Sequence, residues 1–170
     1  MYYWRNHARE MTKLLYSPTS EVSIEGASEE LLAIKARILS LADVGAGTIE
    51  VSGDFGNPSP YELSLERLVI SSGSGPIQVS VGTKKRELNI IANPECLRVL
   101  ASFFNVPEGA QSGWHTHLEF YPENQWIAED SEPTIISLRM HPVMARYKES
   151  FMTRLNARLR AILGTLRSRH

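Results

Sequence analysis

The sequence predicts an α+β fold: a mixed, mostly antiparallel sheet built from two strand-helix-strand-strand repeats, with both repeat helices on one face and a long helix at the carboxy end. Three observations carry that reading. Apolar residues alternate in short runs that end at glycine, as over residues 21–26 and 77–82. Two stretches with helical apolar spacing open at start signals, Ser28 and the pair Asn93-Pro94. Finally, a shift of 66 lays residues 21–71 on 87–137 without a gap, placing Glu21 on Glu87, Ile24 on Ile90, Glu29 on Glu95, Leu31 on Leu97, Gly47 on Gly113, Glu66 on Glu132, Ile70 on Ile136 and Ser71 on Ser137.

At 170 residues and 42% hydrophobic composition, the chain is long enough for one domain with a full core. The expected division is a strap over residues 1–20, the duplicated domain over 21–139 and a basic amphipathic helix over 140–170. In the strap, Tyr2, Tyr3, Trp4, Leu14, Leu15 and Tyr16 fit a helix from about residue 6 to 15, stopped by Ser17-Pro18. A strand over 21–26 comes next. Ser28 is the expected N-cap of the first repeat helix, with Glu29 and Glu30 in the turn where the helix dipole favours acids. Leu31, Leu32, Lys35, Ile38, Leu39 and Ala42 mark its inner stripe. Gly45 and Gly47 release the chain into a strand over 48–52, and a turn-rich loop leads to a strand over 65–72. Ser72-Gly73-Ser74-Gly75 reads as a hairpin turn, because glycine takes positive φ without steric cost, and a strand over 77–81 follows it.

The second unit repeats this order, with a strand over 88–92, a helix from Asn93-Pro94, a strand over 114–121 and a strand over 134–139. Together these make a sheet of about seven strands. Its core should hold Ile24, Leu31, Ile38, Val51, Val69, Ile90, Leu97, Leu100, Leu118, Phe120 and Ile136. Beyond it, Met144, Tyr147, Phe151, Leu155, Leu159, Ile162 and Leu166 form one helical stripe flanked by arginines, suited to pack on the domain or to form a homodimer.

Composition removes several classes of function. No apolar run approaches the ~18 residues of a membrane span, and the amino end lacks the basic-then-apolar order of a secretory signal, so a soluble, cytoplasmic protein is expected. The lone Cys96 excludes an intrachain disulfide and a cysteine-based zinc site. The glycine-rich stretch 72–75 lacks the lysine of a phosphate loop, and no serine sits in a nucleophile elbow. The net charge of -1 conceals a strong asymmetry. Residues 99–138 contain no Lys or Arg but carry Glu108, Glu119, Glu123, Glu129, Asp130 and Glu132, whereas residues 139–170 carry eight cations and the single acid Glu149. A nucleic-acid-binding role would have to use that basic end, which lacks the interleaved aromatic platform of a strand binder.

The sharpest chemistry lies in residues 113–122, GWHTHLEFYP. In a strand, His115, His117 and Glu119 share one face, while Thr116, Leu118 and Phe120 share the other. Two imidazoles and a carboxylate suit a transition metal, with Asp130 or His141 as a further ligand, and such a site would make the protein a metal-dependent enzyme. Equally, one solvated face of an antiparallel sheet alternates in this way. Under the shift of 66 the three residues fall on Ile49, Val51 and Gly53, an asymmetry that favours function.

The WHTHLEFYP strand, the IAEDSEP loop of residues 127–133 and the LVISSGSGP hairpin of residues 68–76 resemble the immunity protein 32 family of bacterial polymorphic toxin systems, over roughly residues 21–139. The resemblance implies a small cytoplasmic, non-catalytic antidote that binds and neutralises a cognate toxin domain. It carries over no contact residues. From charge and aromatic content, the partner-binding candidates are Glu119, Glu123, Trp126, Glu129, Asp130 and Glu132, with Trp126 as hydrophobic anchor or, alternatively, folded back on the sheet.

Overall fold

The computed structural model describes residues 12–54 and 56–139, all within the first of the two units into which the chain divides. Its elements, in order, are β1 (Lys13–Tyr16), β2 (Val22–Gly26), α1 (Ser28–Val44), β3 (Thr48–Ser52), β4 (Leu63–Ser64), β5 (Arg67–Ser72), β6 (Gln78–Gly82), β7 (Glu87–Ala92), α2 (Pro94–Phe103), β8 (His115–Leu118) and β9 (Thr134–Leu138). The α+β class stands, but the strands form two mixed sheets in place of one. The first has the order β4-β1-β2-β9-β8 and the second β3-β5-β7-β6. The carboxy-terminal helix expected over 140–170 lies outside the described residues.

The two sheets arise from an exchange of strands between the halves of the chain. β2 pairs in parallel with β9, setting Ile24 opposite Ile136, and β7 pairs in parallel with β5, setting Ile90 opposite Ile70. A shift of 66 converts one pair of partners into the other. The first strand of one half, β2, therefore joins β8 and β9 of the other, and β7 joins β3 and β5, while the short β4 stays in the sheet of β2. A parallel pair needs a crossover of a dozen or more residues; residues 73–86, which include β6, just meet that between β5 and β7, while residues 27–133 separate β2 from β9. Sequence neighbours could not have revealed the partnership.

Both helices pack against each other; α1 also lies on β2, β3 and β5, and α2 on β7 and β8. Each helix thus touches both sheets, where a single helix-bearing face was expected. One core joins all of these elements, with Ile24, Leu118 and Ile136 from the first sheet, Leu68, Ile70 and Ile90 from the second and Leu31, Ile38, Leu97 and Leu100 from the helices. Along α1 the buried stripe is Leu31, Ile34, Ile38, Leu41 and Ala42, the i, i+3, i+7 face of a helix. Leu32, expected inside, is exposed. Val69 is only half-buried, since Leu68 and Ile70 take the inward positions of β5, and Val51 packs on the core from a partly exposed position.

The helix ends follow local rules with one correction. Asn93 caps α2, its side-chain oxygen accepting from the Cys96 N–H at 2.8 Å, and Pro94 takes the first helical position. Ser28 is not the cap of α1. Ala27 holds that position without a side-chain acceptor, so only the reciprocal half of a capping box forms, the Glu30 carboxylate accepting the Ala27 N–H at 2.9 Å. Glu30 is also 3.8 Å from the Arg139 guanidinium, whose backbone N–H donates to the Gly26 carbonyl at 2.8 Å. At the other end, Gly45 closes α1 at φ 74, a left-handed conformation that side chains resist, and donates to the Leu41 carbonyl.

The expected helix over 6–15 is corrected where it can be seen. Residues 13–15 belong to β1, and Ser17-Pro18 forms the hairpin turn to β2, with reciprocal backbone bonds between Ser17 and Glu21. β1 lies between β2 and β4, and Leu14, Leu15 and Tyr16 are all buried, so both of its faces are covered. A short continuous apolar run of this kind suits a strand covered on both faces, and it lacks the length of a helix. Among the described residues, no helix is long and apolar enough to cross a membrane.

Candidate functional site

Among the described residues, β8 is the terminal strand of the five-stranded sheet and pairs only with β9. Its alternation is as the sequence suggests through Leu118: His115 and His117 are exposed, Thr116 is half-buried and Leu118 is fully buried. The pattern then stops. Leu118 opposite Thr134 is the last pair, and Pro122 lies just beyond, so Phe120 leaves the core and is 36% exposed beside Tyr121 at 52%. Periodicity had assigned Phe120 to the interior. The signal against that was the proline, which cannot donate to a ladder.

The polar side chains of this segment satisfy one another. His115 Nδ1 lies 2.8 Å from the Gly113 carbonyl, which can only accept, so this nitrogen carries the proton. His117 Nδ1 lies 3.1 Å from Glu119 Oε1, and the Tyr121 hydroxyl donates to Glu119 Oε2 at 3.2 Å. The two imidazoles meet edge-on, with ring centroids 5.0 Å apart. The negative charge of Glu119 raises the Tyr121 phenol above its ordinary value of 10.

Glu119 is thereby engaged at both carboxylate oxygens. Among the described residues, no group of three or more His, Cys, Asp or Glu side chains is placed to hold a metal ion. Same-face positions on a strand lie ~6.5 to 7 Å apart, too far for three consecutive ones to converge readily on one ion. Asp130, a suggested further ligand, accepts from Gln78 Nε2 at 3.0 Å beside the other sheet, and His141 lies outside the described residues. The asymmetry seen under the shift of 66 has its origin in the strand register. β3 sets Ile49 opposite Ile70, whereas β8 sets Thr116 opposite Ile136, so the equivalence slips by one residue. His115 and His117 correspond to the exposed Thr48 and Glu50, and both strands show a polar outer face.

The acid-rich loop is built onto the edge of the second sheet. The Ile77 N–H donates to the Trp126 carbonyl at 2.7 Å, the Ala128 N–H to the Ile77 carbonyl at 2.8 Å and the Glu132 N–H to the Val79 carbonyl at 3.0 Å. The Val79 N–H donates to Ser131 Oγ at 3.1 Å. Residues 126–132 therefore cover the outer edge of β6 as far as Val79. Ile127 is buried, and Trp126 is half-buried with its side chain against the core, the folded-back alternative. Glu123, Glu129 and Asp130 remain exposed, while Glu132 is half-buried. Burial, then the Glu132 charge, raises the Tyr16 phenol above its ordinary value. The candidate acids thus occupy two places, Glu119 at the end of β8 and Glu129 with Asp130 along β6.

Elsewhere, a shallow hollow of about 320 Å³ beside the end of α1 is lined by Arg37, Leu41, Val44 and Ile49 among others, and offers no acid, histidine or cysteine. Cys96 is buried, which raises its thiol above the ordinary value and keeps it protonated.

No curated protein and no solved structure matches the chain. A family match falls on the second half of the described unit, from β7 through α2 and β8 to β9, and takes in the WHTHLEFYP and IAEDSEP segments but not the LVISSGSGP hairpin. It spans under a third of the chain, a narrower region than the motifs suggested. Over those residues, 87–139, the chain matches the model of the immunity protein 32 family, the family that its motifs resemble.

Proposed function

We propose that the chain is an immunity protein that neutralises a toxin domain by stoichiometric binding, without catalysis, in the cytoplasm. The observation that carries this reading is the immunity-family match over residues 87–139, which contains the whole cation-free, acid-rich stretch 99–138. A surface of one sign accelerates encounter with an oppositely charged partner and disfavours wrong ones. The partner that fits is a basic toxin domain, such as one that acts on nucleic acid. Glu119, Glu123, Glu129, Asp130 and Glu132 supply the field. Trp126 supports the loop from beneath, and the exposed Phe120 and Tyr121 add aromatic contact area. The matching register of the two parallel pairs, β2 with β9 and β7 with β5, supports an origin by duplication.

Co-expression with the toxic domain encoded beside this gene tests the reading. Protection of the cell and a copurifying one-to-one complex are expected. Failure of both refutes it. Replacing Glu129 and Asp130 with Gln and Asn should slow association and flatten its salt dependence, whereas Trp126→Ala should act mainly by loosening the loop.

A further inference from the structure

The edges of the two sheets are not equally available. β6 is covered by residues 126–132 as far as Val79, and β4 is only two residues long. That leaves β3 and β8. In an antiparallel pair, residues exchange backbone bonds with the partner strand at alternate positions. The Leu138 N–H donates to the Trp114 carbonyl at 2.9 Å, so Trp114, Thr116 and Leu118 turn their backbone groups toward β9. His115 and His117 therefore point their N–H and C=O groups away from the sheet. Among the described residues, no backbone bond from another segment reaches them. Natural edges are usually blunted by lysine, proline or a bulge, and residues 115–118, His-Thr-His-Leu, carry none of these.

Charge separates β8 from β3. On β3 the outward residue Glu50 is already 3.7 Å from Arg67. β8 lies in the stretch 99–138 that has no Lys or Arg, with Glu119 and Glu123 just beyond it and the exposed Phe120 and Tyr121 between them. We propose that the free edge of β8 takes an extended, basic segment of the toxin as a sixth strand of the sheet. Backbone bonds at His115 and His117 hold that segment, Glu119 and Glu123 meet its cations, and Phe120 and Tyr121 cover its apolar stems. This rests on the immunity reading and specifies its contact.

Substitution at His117 distinguishes backbone pairing from side-chain contact. His117→Pro removes an outward N–H without removing a bond to β9, while His117→Ala keeps the backbone intact. With the full chain and the neighbouring toxic domain, His117→Pro should weaken binding roughly tenfold or more and His117→Ala much less. Equal binding by parent and His117→Pro overturns the edge and leaves the immunity reading standing. Absence of binding by the parent refutes the immunity reading. The edge is then judged by a capped peptide alternating lysine with valine, read as hydrogen-exchange protection of the His115 and His117 amides. The same readout serves if His117→Pro fails to fold. Protection by this peptide, but not by its backbone N-methylated form or a glutamate counterpart, upholds a basic-strand acceptor; no protection overturns it. Protection of both amides in the free full chain also overturns it, because a second copy or the chain's own basic end then holds the edge.

Discussion

Leu118→Ala and Phe120→Ala should differ sharply in cost, although strand alternation treats the two positions as equivalent. Leu118 is fully buried, and α2 packs on its strand. Removing its side chain forfeits about 1.5 to 3 kcal/mol of transfer free energy and leaves a cavity that an edge strand held by one neighbour only partly closes, about 2 to 5 kcal/mol in all. Phe120 is 36% exposed and beyond the last strand pair, so its loss should cost about 1 to 2 kcal/mol against the ~3 to 5 of a buried phenylalanine. Urea unfolding of the parent and both variants, with slopes compared to confirm that the unfolded states match, measures the difference. In thermal melts it should appear as roughly 2 to 4 °C per kcal/mol for a domain of this size. A Phe120→Ala cost equal to or above that of Leu118→Ala would refute the claim that the strand ends at Leu118.

Asn93→Ala should destabilise by about 1 kcal/mol through loss of the bond to the Cys96 N–H, while Ser28→Ala should change stability by a few tenths at most, and comparison of their denaturation midpoints checks the placement of the caps. Arg67 bridges Glu50 and the nearly buried Glu87 across the second sheet, so Arg67→Ala should cost about 1 to 3 kcal/mol by leaving Glu87 without its cation, and adding Glu87→Gln should recover part of the loss. Tyr16 has a phenol raised by burial and then by Glu132, so its contribution to stability is complete below its ordinary value of 10 and is lost as pH rises through the higher folded value. Melts across the range above about pH 9 should therefore show a smaller alkaline loss in Tyr16→Phe than in the parent.

Local chemistry was enough to locate most elements. Both repeat helices, the glycine exit at Gly45 and the strands over 48–52, 87–92 and 134–138 lie within a residue or two of where capping, periodicity and turn residues put them. Those signals depend on near neighbours, which sequence displays directly. The errors cluster where a residue's environment is made by something distant. β1 lacked the alternation of a half-exposed strand because both of its faces are covered, and Phe120 kept the alternation after its partner strand had ended. The shift of 66 lays β2 on β7 and β5 on β9, yet it could not show that these strands cross over into two sheets, nor that β8 is displaced by one residue. Sequence by itself determined the elements, the charge asymmetry and the family resemblance, because each is a property of composition or of short-range spacing. Only the tertiary structure decided that His115 and His117 lie on an open edge while the acidic loop closes another, because edge and interior differ in which strands pair across the chain.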